Sequence, residues 1–149
     1  MSDPGLDTRG FLGGRVTVRR LPVVDGAPKT PITTGGRIRM PAGEFAQVSN
    51  GEDVRFVAYL EFRHEPGLSR GNHFHAKKSE ALYVVTGRLR ARFADPETRE
   101  QVGLELAAGD LVRVATGIAH GYEALEYTQA IETSGAAFDP ADVTPYRFE

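Results

Sequence analysis

His73 and His75 are separated by one residue, and Glu80 follows five positions after the second. Side chains alternate between the faces of a β-strand, so the two imidazoles point the same way and Phe74 points to the other face. Imidazole nitrogen and carboxylate oxygen are ligands for first-row transition metals. With the carboxylate returning on the next strand, these residues form three sides of a metal site. Such a pair also occurs on an ordinary polar strand face, so the spacing alone leaves both readings open. The chain has no cysteine, which excludes disulfides and thiolate ligands. A metal held here would be one divalent ion of Fe, Mn, Ni, Co, Zn or Cu.

A second block reads Gly109-Asp110-Leu111-Val112-Arg113-Val114-Ala115-Thr116-Gly117-Ile118-Ala119-His120. It has the form of a short apolar strand, a glycine-containing turn, and a histidine opening the next strand. Together the two blocks resemble the two motifs of the cupin superfamily. Gly67, His73, His75, Glu80 and Gly87 stand at every fixed position of the first motif, and Gly109, Gly117 and His120 fall in register with the second. Ala115 stands where the family usually has proline, and Ala124 where it usually has asparagine. The resemblance implies that His73, His75, Glu80 and His120 hold the metal. Neither departure touches that set, and the missing proline bears on the stiffness of a turn. The resemblance also implies a homodimer, in which the strand at residues 16–21 crosses to the partner's sheet and covers an exposed edge.

Three imidazoles and one carboxylate leave two adjacent positions of an octahedral ion open. Such an ion polarises a carbonyl or lowers the pKa of a bound water, and iron adds oxygen activation. Arg70-Gly71-Asn72-His73-Phe74-His75, followed by Lys77-Lys78, is similar to single-domain cupins of sugar-nucleotide and polysaccharide biosynthesis, epimerases and isomerases among them. The function this implies is isomerase or epimerase chemistry on a small, polar, metal-chelating sugar-like or keto compound. An Fe(II)-dependent dioxygenase of the same fold and a non-catalytic cupin that binds a small ligand are the alternatives.

Further side chains are placed by parity. Tyr122 shares a face with His120, as a catalytic acid or as a packed core tyrosine. His64, beside Glu65 and Pro66, is the second candidate for proton transfer. Arg37 and Arg39 on an early strand, Gln129 on a late one, and Lys77 in the loop between two ligands are candidates for holding substrate, with Lys78 beside it. For the arginines and lysines a solvated surface is the plainer reading.

The elements that must position these residues are short strands. Of 149 residues, 17 are Gly and 9 are Pro, spread along the chain, and no stretch sustains a helical period. Leu82 and Val84 share a face with Glu80, against Tyr83 and Val85. Leu89, Ala91 and Phe93 alternate with Arg88, Arg90 and Arg92, so the arginines face outward. Turns are expected at residues 25–28, 95–98 and 107–110, and a polar loop at 30–36. The pattern predicts an all-β protein with a single-domain, jelly-roll-like cupin β-barrel over residues 15–133. A flexible segment precedes it at 1–14. A tail at 134–149 packs on it, with one helical turn near 140–143. A net charge of −2 and no basic block argue against a nucleic-acid partner. No apolar run approaches the roughly 18 residues of a membrane span. No signal peptide is evident, so the expected location is cytoplasmic.

Overall fold

The computed structural model describes residues 8–26 and 36–149, and all regular structure among them is strand. In chain order these are β1 (Thr8–Phe11), β2 (Val16–Arg20), β3 (Val23–Asp25), β4 (Arg37–Met40), β5 (Gly43–Ala46), β6 (Phe56–Phe62) and β7 (Arg70–Phe74). They continue as β8 (Glu80–Thr86), β9 (Arg88–Ala94), β10 (Gln101–Ala107), β11 (Asp110–Val114), β12 (Ala119–Ala124), β13 (Thr128–Ser134) and β14 (Thr144–Pro145). One sheet has the order β1-β2-β11-β8-β13-β6, a second β10-β9-β12-β7-β14, and a small third β3-β4-β5.

Alternation builds the core. Val16, Val18, Leu82, Val84, Val112 and Val114 of the first sheet meet Leu89, Ala91, Phe93, Leu106 and Tyr122 of the second, all buried. Each large apolar side chain removed from water contributes about 1.5–3 kcal/mol. Arg88, Arg90 and Arg92 lie exposed on the opposite face of β9, as their parity requires. On the far face of β8, Ala81 and Tyr83 form a second cluster with Leu21 and Leu111, against which Ala46 and Val48 pack. Covering by the small sheet therefore buries β8 on both faces, which explains its run of apolar residues.

The two large sheets face each other as a jelly-roll sandwich and share no paired strand, so they do not close into a barrel. The seam falls between β6 and β7, neighbours in the chain that belong to different sheets. Two expectations at the ends are corrected. Residues 8–11 are not a loose head: β1 pairs with β2 along its whole length. Within this chain the strand at residues 16–20 lies between β1 and β11. Residues 140–142 form a turn closed by Asp142 N–H on the Asp139 carbonyl at 2.9 Å, not a helix. The turn residues Ala27 and Pro28 and most of the loop at 30–36 lie outside the described residues, as do residues 1–7. Among the described residues no helix is long and apolar enough to cross a membrane.

Candidate metal centre

β7 and β12 run antiparallel with His120 opposite His73 and Gly121 opposite Gly71, and the register shifts between His120 and Gly121. The bulge turns both histidines into the space between the sheets. It depends on Gly71, whose φ is +86° and whose Cβ, if present, would lie 2.7 Å from the His120 carbonyl oxygen. Only glycine tolerates that approach. His75 follows the end of β7, and Glu80 opens β8 opposite Val114. The candidate ligand atoms of His73, His75, Glu80 and His120 all lie within 4.8 Å of one another. His75, Glu80 and His120 are buried, and His73 is half-buried.

The hydrogen bonds of the rings fix their tautomers. Nδ1–H of His75 donates to the Asp142 carbonyl at 2.6 Å, and Nδ1–H of His120 donates to the Ile118 carbonyl at 3.1 Å. A carbonyl only accepts, so Nδ1 carries the hydrogen in both rings, and in the neutral ring Nε2 is left with its lone pair. Those two nitrogens stand 2.9 Å from Glu80 Oε1 and 3.0 Å from Glu80 Oε2. Such a lone pair is satisfied either by a proton, as in the hydrogen bond between His120 and Glu80, or by a metal cation. At His75 the geometry disfavours a simple proton bridge: its buried Nε2 makes no hydrogen bond, because it does not aim at Oε1. Ligands about 2.1 Å from one ion stand about 3–4 Å apart, which the two short separations match. The donor set fits a divalent ion.

Other charged groups press on the cluster. Lys78 is buried, with Nζ 3.1 Å from Glu80 Oε1 and 3.9 Å from the centre of the Phe56 ring. Glu132 is hydrogen-bonded to Glu80; burial, the Glu80 charge and that bond push its carboxyl up to about 7. For Glu80, burial works against ionisation. The hydrogen bond and charge of His120, with Glu132 and Lys78, outweigh it and hold the carboxyl well below the usual range. Burial, then the neighbouring His120 and His75, push His73 down to about 4. Tyr122 is buried, and burial with the charges of Glu80 and Glu132 keeps its hydroxyl protonated far above the usual range.

The remaining candidates divide. Tyr122 lies beside the cluster, its ring 6.0 Å from that of His120. His64 is exposed in the connection after β6 and is not among the residues lining the neighbouring cavity. Arg37 is on the small sheet, donating to the Leu21 carbonyl at 2.9 Å, and Arg39 is exposed beside Asp25 at 3.3 Å. Neither faces the histidines, because β4 covers the outer side of the sheet. Gln129 also points outward and donates to Tyr59 Oη at 2.6 Å, because it alternates with the inward Thr128, Ala130 and Glu132. Lys77 is exposed, and its neighbour Lys78 takes the inward position. Lys78 and Glu132 were within reach of parity: Lys78 is two residues from Glu80, and Glu132 alternates with Ala130 and Thr128. Asp142 carried no such signal.

At the seam a cavity of about 410 Å³ is lined by Glu61, Phe62, Arg63, Leu68, Ser69, Arg70, Tyr122 and Ala124. Arg70 ties the seam, its Nε donating to the Glu61 carbonyl at 2.8 Å. Tyr122 thus stands between this cavity and the histidine cluster.

A family model described as the polysaccharide biosynthesis C-terminal domain matches residues 42–135. No curated protein sequence matches. Among solved structures, the dTDP-4-dehydrorhamnose 3,5-epimerase of Sulfolobus tokodaii aligns at a TM-score of 0.69 and 20% identity, over 93% of this chain and 81% of that one. The rmlC epimerase of Mycobacterium tuberculosis aligns at 0.71 and 16%, over 93% and 72%. The sugar 3,4-ketoisomerase QdtA of Thermoanaerobacterium thermosaccharolyticum, in complex with TDP, aligns at 0.68 and 15%, over 87% of each. At these identities the likeness is one of fold, the cupin fold.

Proposed function

Since the chain belongs to the polysaccharide biosynthesis C-terminal domain family, on a cupin fold, we propose that it is a metal-dependent isomerase or epimerase acting on a keto-sugar carried by a nucleoside diphosphate. The observation that carries the reading is the unpartnered Nε2 of His75, buried 2.9 Å from Glu80 with its hydrogen fixed on the opposite nitrogen. His73, His75, Glu80 and His120 would hold the ion, which supplies Lewis-acid polarisation of a carbonyl when bound.

The chain's own residues supply the rest. Tyr122 stays protonated at neutral pH and lies between cluster and cavity, so its role is to give a proton rather than take one. Arg63 and Arg70 line the cavity and supply positive charge for a diphosphate, the place that Arg37 and Arg39 do not occupy. The comparison structures support the substrate class: they are epimerases and ketoisomerases of such sugars, one of them bound to TDP.

The test is metal content of protein purified without chelator or nickel resin, beside His75→Ala, with deuterium uptake from D2O into a nucleoside-diphosphate 4-keto sugar. About one equivalent of zinc, manganese, nickel or cobalt, absent from the variant, and uptake next to the keto carbon support the reading. Iron with oxygen consumption on adding substrate replaces it with an oxygenase. No metal after reconstitution and no uptake leave a binding protein.

A further inference from the structure

We propose that Asp142 is a positioning residue: it straps the segment after β13 across the cluster and locks the ring of His75 with Nδ1 protonated and Nε2 free. Its consequence for metal affinity rests on the reading above; its geometry does not.

Asp142 works from both its main chain and its side chain. Its carbonyl accepts from His75 Nδ1 at 2.6 Å. Its carboxylate accepts from three successive backbone amides, Ala76 at 2.8 Å, Lys77 at 3.1 Å and Lys78 at 3.1 Å. These amides form the turn that leads from His75 to Glu80. Three N–H groups converging on one side would lack an acceptor without the carboxylate. One residue therefore fixes both the ring and the backbone that spaces it from the next ligand.

The strap is anchored on both sides of Asp142. Before it, the Phe138 ring packs on Phe56 at 6.4 Å and lies 5.6 Å from Lys78 Nζ. After it, β14 pairs with β7, placing Thr144 opposite Phe74 and Pro145 opposite His73, and Tyr146 N–H donates to the Asn72 carbonyl at 2.8 Å. The family match ends at residue 135, so Asp142 lies beyond the matched residues while the ring and amides it holds lie within them. Partners that orient a ligating histidine through its second nitrogen typically alter metal affinity 10- to 100-fold when removed, as a rough guide.

The experiment uses the full chain, stripped with EDTA, and two variants, Asp142→Ala and Asp142→Asn. Nitrogen-15 NMR of the imidazoles, recorded above the ordinary imidazole pKa, reads the tautomer of His75. Zn(II) titration reads affinity. Wild type is expected to hold a single Nδ1–H tautomer. Asp142→Ala leaves the carbonyl but removes the carboxylate that pins it against the turn, and should give a mixture of tautomers and bind Zn(II) about tenfold more weakly. Asp142→Asn keeps one acceptor oxygen and should fall between the two. If Asp142→Ala does not fold, the same shift in Asp142→Asn decides the matter. A folded variant with an unchanged tautomer and unchanged affinity overturns the assignment. If wild type binds no Zn(II) yet loses its single tautomer on substitution, the strap stands and the metal reading falls.

Discussion

Lys78 and Glu80 form a buried ion pair two residues apart in sequence, Nζ to Oε1 at 3.1 Å, at the mouth of β8. The ammonium shares Glu80 with the two imidazoles that the metal reading assigns to the ion. It neutralises the carboxylate when no metal is bound and repels a metal when one is. Lys78→Met keeps a long apolar side chain at this position and removes the ammonium that lies over the Phe56 ring. Breaking a buried pair costs about 3–5 kcal/mol. The metal-free variant should therefore melt lower than wild type. Added Zn(II) should raise its melting temperature by more than it raises that of wild type, since the competing cation is gone. Equal shifts in scanning calorimetry would show that Lys78 does not act on the cluster.

Gly71 is the hinge of the β7–β12 bulge, and its substitution reaches the site without touching a ligand. An added Cβ would meet the His120 carbonyl at 2.7 Å, and the φ of +86° is strained for any other residue. Such strain costs about 1–3 kcal/mol before the clash is counted. Gly71→Ala should lose stability by at least that amount in urea titration and weaken metal binding, because His73 and His120 can no longer stand opposite each other. Gly103→Ala on β10 is the control. It has no positive φ, its nearest contact is 4.0 Å away, and it should leave metal binding unchanged.

The metal-free protein carries two opposed pH dependences in the same window. His73 is held down to about 4 from 6.5, so its contribution is complete above 6.5 and is lost as pH falls through about 4. Its ring is half exposed, so the effect is discounted to on the order of 1–2 kcal/mol. Glu132 is pushed up from 4.5 to about 7, so its contribution is complete below 4.5 and is lost as pH rises through about 7. That is on the order of 2–3 kcal/mol in the opposite sense. The two partly cancel in wild type. Glu132→Gln removes the second dependence. Its stability, measured by urea titration after EDTA treatment, should rise from pH 4 to pH 6.5 and then level off. A Glu132→Gln profile that still declines toward pH 7 would place the proton elsewhere.

Much of the fold was legible because period-two alternation is a local signal. Glu80, Leu82 and Val84 share one face as their spacing requires, and Leu89, Ala91 and Phe93 are fully buried opposite three exposed arginines. The motif glycines Gly67, Gly87, Gly109 and Gly117 all take positive φ, so the turns fall where the spacing put them. What parity could not give was which sheet face a neighbouring element covers. Arg37 and Arg39 went astray there, since β4 packs outside the larger sheet. Gln129 faces outward because it alternates with the buried Thr128 and Ala130, and nothing local marks which of those two faces meets the core. Asp142 was beyond reach for a different reason. Its two contacts span more than 60 residues, and nothing in the sequence around it marks a pairing with His75.

Tyr122 separates a structural from a chemical role for the residues around the cluster. Its ring packs edge-on against Phe62 and Phe93, at 6.2 Å and 6.0 Å, so the aromatic body belongs to the core. Tyr122 also lines the seam cavity, and burial holds the proton on its hydroxyl. Tyr122→Phe keeps the packing and deletes only the hydroxyl. The variant should melt within about 1 kcal/mol of wild type, the net worth of an ordinary hydrogen bond, and bind Zn(II) with unchanged affinity. Turnover of the keto-sugar should fall by about 10²–10⁴, the usual contribution of a positioned acid or base. Deuterium uptake next to the keto carbon should fall less than product formation if the hydroxyl returns the proton and does not remove it. Equal losses in the two assays would make Tyr122 the base. Wild-type rates in both would leave it a core tyrosine and send the search for the acid to the other walls of the cavity.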